Sequence, residues 1–289
     1  MIPGQFEYHA PSTVGEAIAL LGQYGDEAKI LAGGHSLLPM MKLRFAEPEH
    51  LVDINRIDGL RGIRDDGDTL HIGAMTTENE LIASPLLREK CPLLALAAEW
   101  IADPQVRNCG TLGGDIAHGD PGNDHPAVIL ALEADLLIQG TEGERTVPAG
   151  DFYLGTYFTQ LEPGEILTGI RVPVSPPGSG CAYSKLKRKT GDFATAAAAV
   201  QLQLEGGVCR KAGIGLTNVG PTALKAADAE ASLTGQHIDE ALIERAAELA
   251  MAICDPVEDL RGDREYKTHM AGEMTRRAIR QALQHAGGR

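Results

Sequence analysis

Two glycine pairs constrain this chain most: Ala32-Gly33-Gly34-His35-Ser36 and Thr111-Leu112-Gly113-Gly114-Asp115. Each lies just past an apolar, strand-like run or inside a turn. Glycine takes backbone angles closed to other residues and lets a guest approach the main chain, so bare N–H groups can gather around an anion. A diphosphate is the natural guest, with Ser36 and Thr111 adding hydroxyl donors. The loops supply no catalytic base, so the expected role is binding, and no catalytic residue is assigned. Other nucleotide signatures are missing: no Gly-x-Gly-x-x-Gly follows an N-terminal strand, and no Gly-x-x-x-x-Gly-Lys-Ser/Thr occurs. Gly34-His35-Ser36 opens like a nucleophile elbow but lacks the glycine after Ser36, which argues against a serine hydrolase.

Around these loops the pattern alternates between strand and helix. Thr13 and Glu16 are spaced as a capping box ahead of a first helix. Strands are expected at Ala28–Leu31, His50–Ile54, Thr69–Ala74, Asp135–Gln139, Arg145–Val147 and Ile166–Val172. A helix is expected from Leu86 to Ile101, and a short buried one from Pro126 to Leu132. Pro173, Pro176, Pro177 and Gly178 form the best linker. Beyond it, strands at Ala194–Leu204 and Val208–Leu216 flank the hairpin turn Glu205-Gly206-Gly207. Helical patterns then occupy Ala223–Leu233, Ile238–Ile253 and Glu265–His285. Three units are expected, at residues 1–55, 56–177 and 178–289.

A hydrophobic share of 43% suits a folded globular protein, and a net charge of −14 argues against nucleic-acid binding. The five cysteines are scattered and never form Cys-x-x-Cys, so free buried thiols are expected and no disulfide, zinc or iron–sulfur site. His118, Asp120, Asp124 and His125 match no zinc spacing, and no metal ligand is assigned. The N-terminus lacks a secretory signal and no apolar run is long enough to span a membrane, so the expected location is the cytoplasm, at most at the inner face of the cytoplasmic membrane.

Both glycine segments and their continuations, Leu37-Leu38-Pro39-Met40-Met41-Lys42-Leu43-Arg44 and Ile116-Ala117-His118-Gly119-Asp120-Pro121-Gly122-Asn123-Asp124, resemble the paired FAD-diphosphate loops of the medium subunits of the molybdenum hydroxylase (xanthine dehydrogenase) family. The resemblance covers essentially the whole chain. With Lys185-Leu186-Lys187-Arg188-Lys189 and Gly191-Asp192-Phe193-Ala194-Thr195-Ala196 it is nearest to the carbon monoxide-oxidising branch.

The resemblance implies an α+β chain: an FAD-binding fold of the vanillyl-alcohol-oxidase/PCMH type in two α/β subdomains, plus a C-terminal antiparallel sheet with a helical cluster. It implies FAD on residues 32–36 and 111–115, on Asp124 beside the ribityl or diphosphate region, on Leu167 and Lys185, and on Phe193 against the isoalloxazine ring. Relatives often carry tyrosine at that last position, so stacking would survive here without the hydroxyl. Read from the residues alone, Asp124 could equally cap a loop, Phe193 could pack in a core, and Lys185–Lys189 could be a solvated edge strand.

The implied partners are a large subunit with the molybdenum cofactor and a small subunit with two [2Fe–2S] clusters, in a dimer of heterotrimers. A quinone or similar carrier would accept the electrons. The same subunit role in a nicotinate, aldehyde, xanthine or aromatic acyl-CoA dehydrogenase, a noncatalytic flavin-binding scaffold and a self-contained flavin oxidase are the alternatives.

Overall fold

The computed structural model describes residues 2–287. Met1, Gly288 and Arg289, at the outer ends of the first and third expected units, lie outside the described residues. The chain opens with β1 (Glu7–His9), α1 (Val14–Tyr24), β2 (Ala28–Leu31), α2 (Leu37–Lys42) and β3 (His50–Asp53), whose strands form a parallel sheet in the order β1-β3-β2. Thr13 caps α1 by accepting from the Glu16 N–H at 3.1 Å. The Glu16 carboxylate reaches back to the Ser12 N–H, so the reciprocal bond falls one residue before the expected box. Ala17, Ile18 and Leu21 of α1 pack against Val52 and Ile54.

The second unit holds β4 (Ile63–Asp65), β5 (Thr69–Gly73), α3 (Glu78–Ala83), α4 (Pro85–Lys90), α5 (Pro92–Ala98), α6 (Pro104–Arg107), α7 (Leu112–Ala117) and α8 (His125–Leu132). It continues through β6 (Asp135–Gly140), β7 (Gly143–Pro148), α9 (Ala149–Phe152), β8 (Tyr153–Gly155), β9 (Phe158–Thr159) and β10 (Ile166–Pro173). Its main sheet runs β4-β5-β10-β6-β7, with β10 inserted between β5 and β6 and antiparallel to both. The helix expected from Leu86 to Ile101 is two helices. Pro92 has no N–H to donate and its ring disfavours helical angles in the residue before it, and Cys91 sits at φ −152°, ψ 64°.

The third unit is an antiparallel sheet, β11 (Ser179–Leu186), β12 (Ala196–Glu205), β13 (Val208–Thr217) and β14 (Leu224–Lys225), with α10 (Ala227–Leu233), α11 (Glu240–Ala252) and α12 (Arg264–Gly287). Gly206 and Gly207, at φ 60° and 82°, make the turn their pairing suggested. The helix expected from Ala223 begins at Ala227, because Leu224 and Lys225 pair with Leu216 and Gly215 and close the sheet edge instead.

This sheet is covered on both faces, which fixes the second unit against the third. Ala198, Val200, Leu202 and Ile214 face α10–α12. The alternate residues Tyr183, Ala197 and Ala199 join the core that contains α8. Gly213 and Gly215 let α8 lie directly on β13: a Cβ there would sit 2.0 Å from the Ala131 carbonyl and 1.9 Å from the Ala127 carbonyl. Every residue of α8 is buried, as the apolar run from Pro126 to Leu132 requires. No helix among the described residues is long and apolar enough to cross a membrane.

Candidate functional site

Strand β2 delivers the chain to the first glycine pair and α2 leads away. Between them, the N–H groups of Gly33, Gly34, His35 and Ser36 find no acceptor among the described residues. Four consecutive free donors in a turn make an anion cradle. Gly34 takes φ +74°, a left-handed angle that glycine adopts without strain. His35 Nδ1–H donates to the Gly33 carbonyl at 2.8 Å, which assigns the tautomer. From behind, Asn55 holds the loop: its Nδ2 donates to the Ala32 carbonyl at 2.9 Å and to Asp53 Oδ1 at 2.7 Å, while Arg61 donates to its Oδ1 at 3.2 Å.

The second loop is built differently. The N–H groups from Leu112 to Asp115 are already engaged: Leu112 donates to Thr76, Gly113 to Ala74 and Asp115 to the Thr111 carbonyl, and Gly114 donates to Thr111 Oγ1 at 3.2 Å. The expectation of bare donors in both loops therefore holds only for the first. Here glycine serves close packing, since a Cβ on Gly113 would lie 2.5 Å from Ala74 Cβ. Thr111 is buried, and its hydroxyl oxygen accepts from Gly114, which leaves the hydroxyl hydrogen as the donor it can still offer.

The two loops abut: a Cβ on Gly33 would fall 2.3 Å from the Cys109 carbonyl, and one on Gly114 would face Ala32 Cβ at 3.7 Å. Leu167 is buried in β10 beside a bulge, one residue before the Thr168 carbonyl that accepts from Ala74.

Asp124 lies at the seam between the second and third units. Its Oδ2 accepts from Lys185 Nζ at 2.6 Å and its Oδ1 from Tyr183 at 2.5 Å, with Lys185 and Tyr183 both on β11. Both carboxylate oxygens are thus occupied within the chain, and neither caps α8. Burial, reinforced by Asp124, pushes the Tyr183 hydroxyl well above its usual range.

Beside this pair, His125 Nε2 meets Glu78 at 2.7 Å with both side chains buried. Burial opposes a charge on His125, but Glu78, with Asp115 and Asp124, outweighs it and lifts the imidazole to about 9. Burial raises Asp115 to about 7, with His125 pulling the other way. Of the four residues weighed as metal ligands, His118 instead packs against the Tyr157 ring and Asp120 accepts from Gly122 and Tyr157.

Phe193 is 46% exposed, so it is not a core residue, and its ring lies 5.7 Å from the Arg261 guanidinium. The segment carrying it is pinned by Asp192, which pairs with Arg188 at 2.8 Å and Arg261 at 2.7 Å. Burial works against the Asp192 charge, and the two guanidinium groups override it to hold the carboxyl at about 2. The basic run is not a solvated edge strand: Lys185 is buried, and Lys187 stacks over Trp100 at 5.0 Å. Cys91, Cys181 and Cys209 are buried as expected, whereas Cys254 is half-buried and Cys109 is exposed, contrary to the expectation of burial.

Residues 4–175 match the FAD binding domain in molybdopterin dehydrogenase, and residues 181–282 match the CO dehydrogenase flavoprotein C-terminal domain. The chain belongs to the molybdopterin dehydrogenase FAD-binding family. It is 60% identical to the carbon monoxide dehydrogenase medium chain of Hydrogenophaga pseudoflava, over 98% of each chain. It is 53% identical to that of Afipia carboxidovorans, over 99% of each. A solved carbon monoxide dehydrogenase from Hydrogenophaga pseudoflava, lacking the Mo-pyranopterin moiety of its cofactor, superposes with a TM-score of 0.97 at 61% identity, covering 99% of each chain.

The FAD of this family suits the site. Four free N–H groups at Gly33–Ser36 match an anionic diphosphate, and the Ser36 side chain is exposed beside them. Asn55, which positions that loop, escaped the sequence reading because its bond to the loop reaches back to Ala32, far along the chain. So did Glu78, whose partner His125 lies far along the chain.

Proposed function

We propose that this chain is the FAD-carrying medium subunit of a carbon monoxide dehydrogenase. The observation that carries the reading is identity of 60% along 98% of both chains with a carbon monoxide dehydrogenase medium chain. Bound FAD exchanges electrons singly or in pairs. The chain's own residues hold it: the Gly33–Ser36 N–H groups and the Thr111 hydroxyl take the diphosphate, and Asn55 keeps the first loop in place. Phe193 offers an apolar face for the flavin ring. Lys185 and Asp124 lock the two halves of the site together across the seam.

No residue of this chain is assigned to substrate. Carbon monoxide and water would react at a molybdenum cofactor on a large subunit, giving carbon dioxide, two protons and two electrons. The electrons would pass through two [2Fe–2S] clusters of a small subunit to this one and leave to a quinone at the inner face of the cytoplasmic membrane. The assembly would be a dimer of such heterotrimers.

Purification of the complex through a tag on this chain tests the reading. The expected material carries one acid-releasable FAD per chain, molybdenum and iron–sulfur partners, and bleaches under carbon monoxide. A complex with these cofactors that bleaches only with an aldehyde or a purine would place the chain in another branch of the family. A colourless protein without partners would leave only a scaffold.

A further inference from the structure

The opposite end of the N-terminal sheet carries a cluster that the flavin site does not use. Glu7 and His9 alternate along β1, so both side chains stand on one face of the strand. The parallel register sets Glu7 directly beside His50 on β3. His9 Nε2 approaches His50 Nδ1 to 3.1 Å, and His50 Nδ1 lies 3.6 Å from Glu7 Oε2. The three ligand atoms all fall within 4.8 Å of one another.

Zinc–nitrogen bonds of about 2.0–2.1 Å place neighbouring tetrahedral ligands roughly 3.3 Å apart. The two spacings to His50 Nδ1 bracket that edge, and the remaining pair lies within 4.8 Å. Tyr24 orients the imidazoles from one side, stacking on His50 at 3.6 Å between ring centroids and on His9 at 5.1 Å. Two imidazole nitrogens and one carboxylate form a borderline donor set suited to zinc. The Glu7 side chain is 72% exposed, which leaves the outward position open to water. The competing description is a histidine–histidine hydrogen bond beside a Glu7–His50 ion pair, which needs a protonated His50, whereas a cation would be held by neutral imidazoles.

We propose that Glu7, His9 and His50 bind one divalent cation of the zinc type, fastening the three-residue strand β1 to β3. Sequence reading passed over it because Glu-x-His with a third ligand on a distant strand matches no metal-binding spacing. The site is independent of the flavin reading, since none of its residues touches the glycine loops.

The test uses the assembled complex, stripped with chelator and titrated with Zn²⁺, and with Co²⁺ as a spectroscopic substitute. Wild type is expected to bind one more zinc per chain than the His9→Gln and Glu7→Gln complexes. Its Co²⁺ form should show visible bands of a tetrahedral nitrogen–oxygen site that both variants lack. Affinity should fall by about a hundredfold in each variant, the upper end of what outer-shell partners alone cost. FAD content should stay unchanged, which shows that the variants are folded. Equal zinc uptake by wild type and both variants, or a wild type that takes up no zinc at micromolar concentrations, would overturn the site.

Discussion

A Cβ on Gly33 would fall 2.3 Å from the Cys109 carbonyl, so any side chain there must displace the second loop from its close approach. Overpacking of this kind costs about 1–3 kcal/mol, so Gly33→Ala should weaken FAD retention roughly tenfold or more. Gly15→Ala, in open space on α1, should keep full flavin; acid-released FAD per chain measures both. Asp124 is a different case. Its oxygens are engaged by Tyr183 and by Lys185, whose side chain is 1% exposed. Lys185→Met should therefore destabilise the complex by about 3–5 kcal/mol, and Asp124→Leu added to it should recover part of the loss. An unchanged thermal midpoint in Lys185→Met would return Asp124 to a pure ligand-binding role.

The same buried group sets a pH dependence. His125 is raised from 6.5 to about 9, so its stabilisation is complete below pH 6.5 and lost as pH climbs through 9. Asp115, raised from 3.8 to about 7, acts in the same direction at lower pH, since the native chain keeps a proton the unfolded chain has released. The thermal midpoint should fall steadily between pH 5 and 9, and Glu78→Gln should flatten its upper half; a midpoint that rises over this range would contradict the assignment. The free N–H groups of the first glycine loop were legible in sequence because backbone chemistry depends on local residue type, whereas the close packing of the second was not. Nor were Asn55, Glu78 and Tyr183, since each acts through a partner far along the chain.

Among the elements, the contact between α8 and β13 determines how the flavin-binding half meets the C-terminal sheet. Gly215→Ala would drive a methyl group to within 1.9 Å of the Ala127 carbonyl and should lower the thermal midpoint of the complex, whereas Gly206→Ala would strain only an exposed turn. Equal midpoints for the two variants would show that α8 can move away freely. The long strands and the terminal helices were readable because apolar periodicity persists over many residues. The error at Leu86–Ile101 came from weighing that periodicity above Pro92, and the error at Ala223 from an edge pairing that helix propensity cannot signal. Strand β1 is too short to show a period, yet its register creates the Glu7–His50 neighbourhood.

At the scale of the whole molecule, one core joins the second unit to the third, and a separate one packs residues of the first unit against Leu60, Met75 and Ile166. With no substrate residue assigned to it, the chain should matter only for the last leg of electron transfer. A flavin-depleted complex exposed to carbon monoxide measures this directly, with cluster bleaching followed optically beside quinone reduction. Bleaching should proceed at the normal rate while quinone reduction stops, and added FAD should restore it in wild type but not in Gly33→Val. Undiminished quinone reduction without FAD would show that electrons leave from the clusters and that this chain is not their exit.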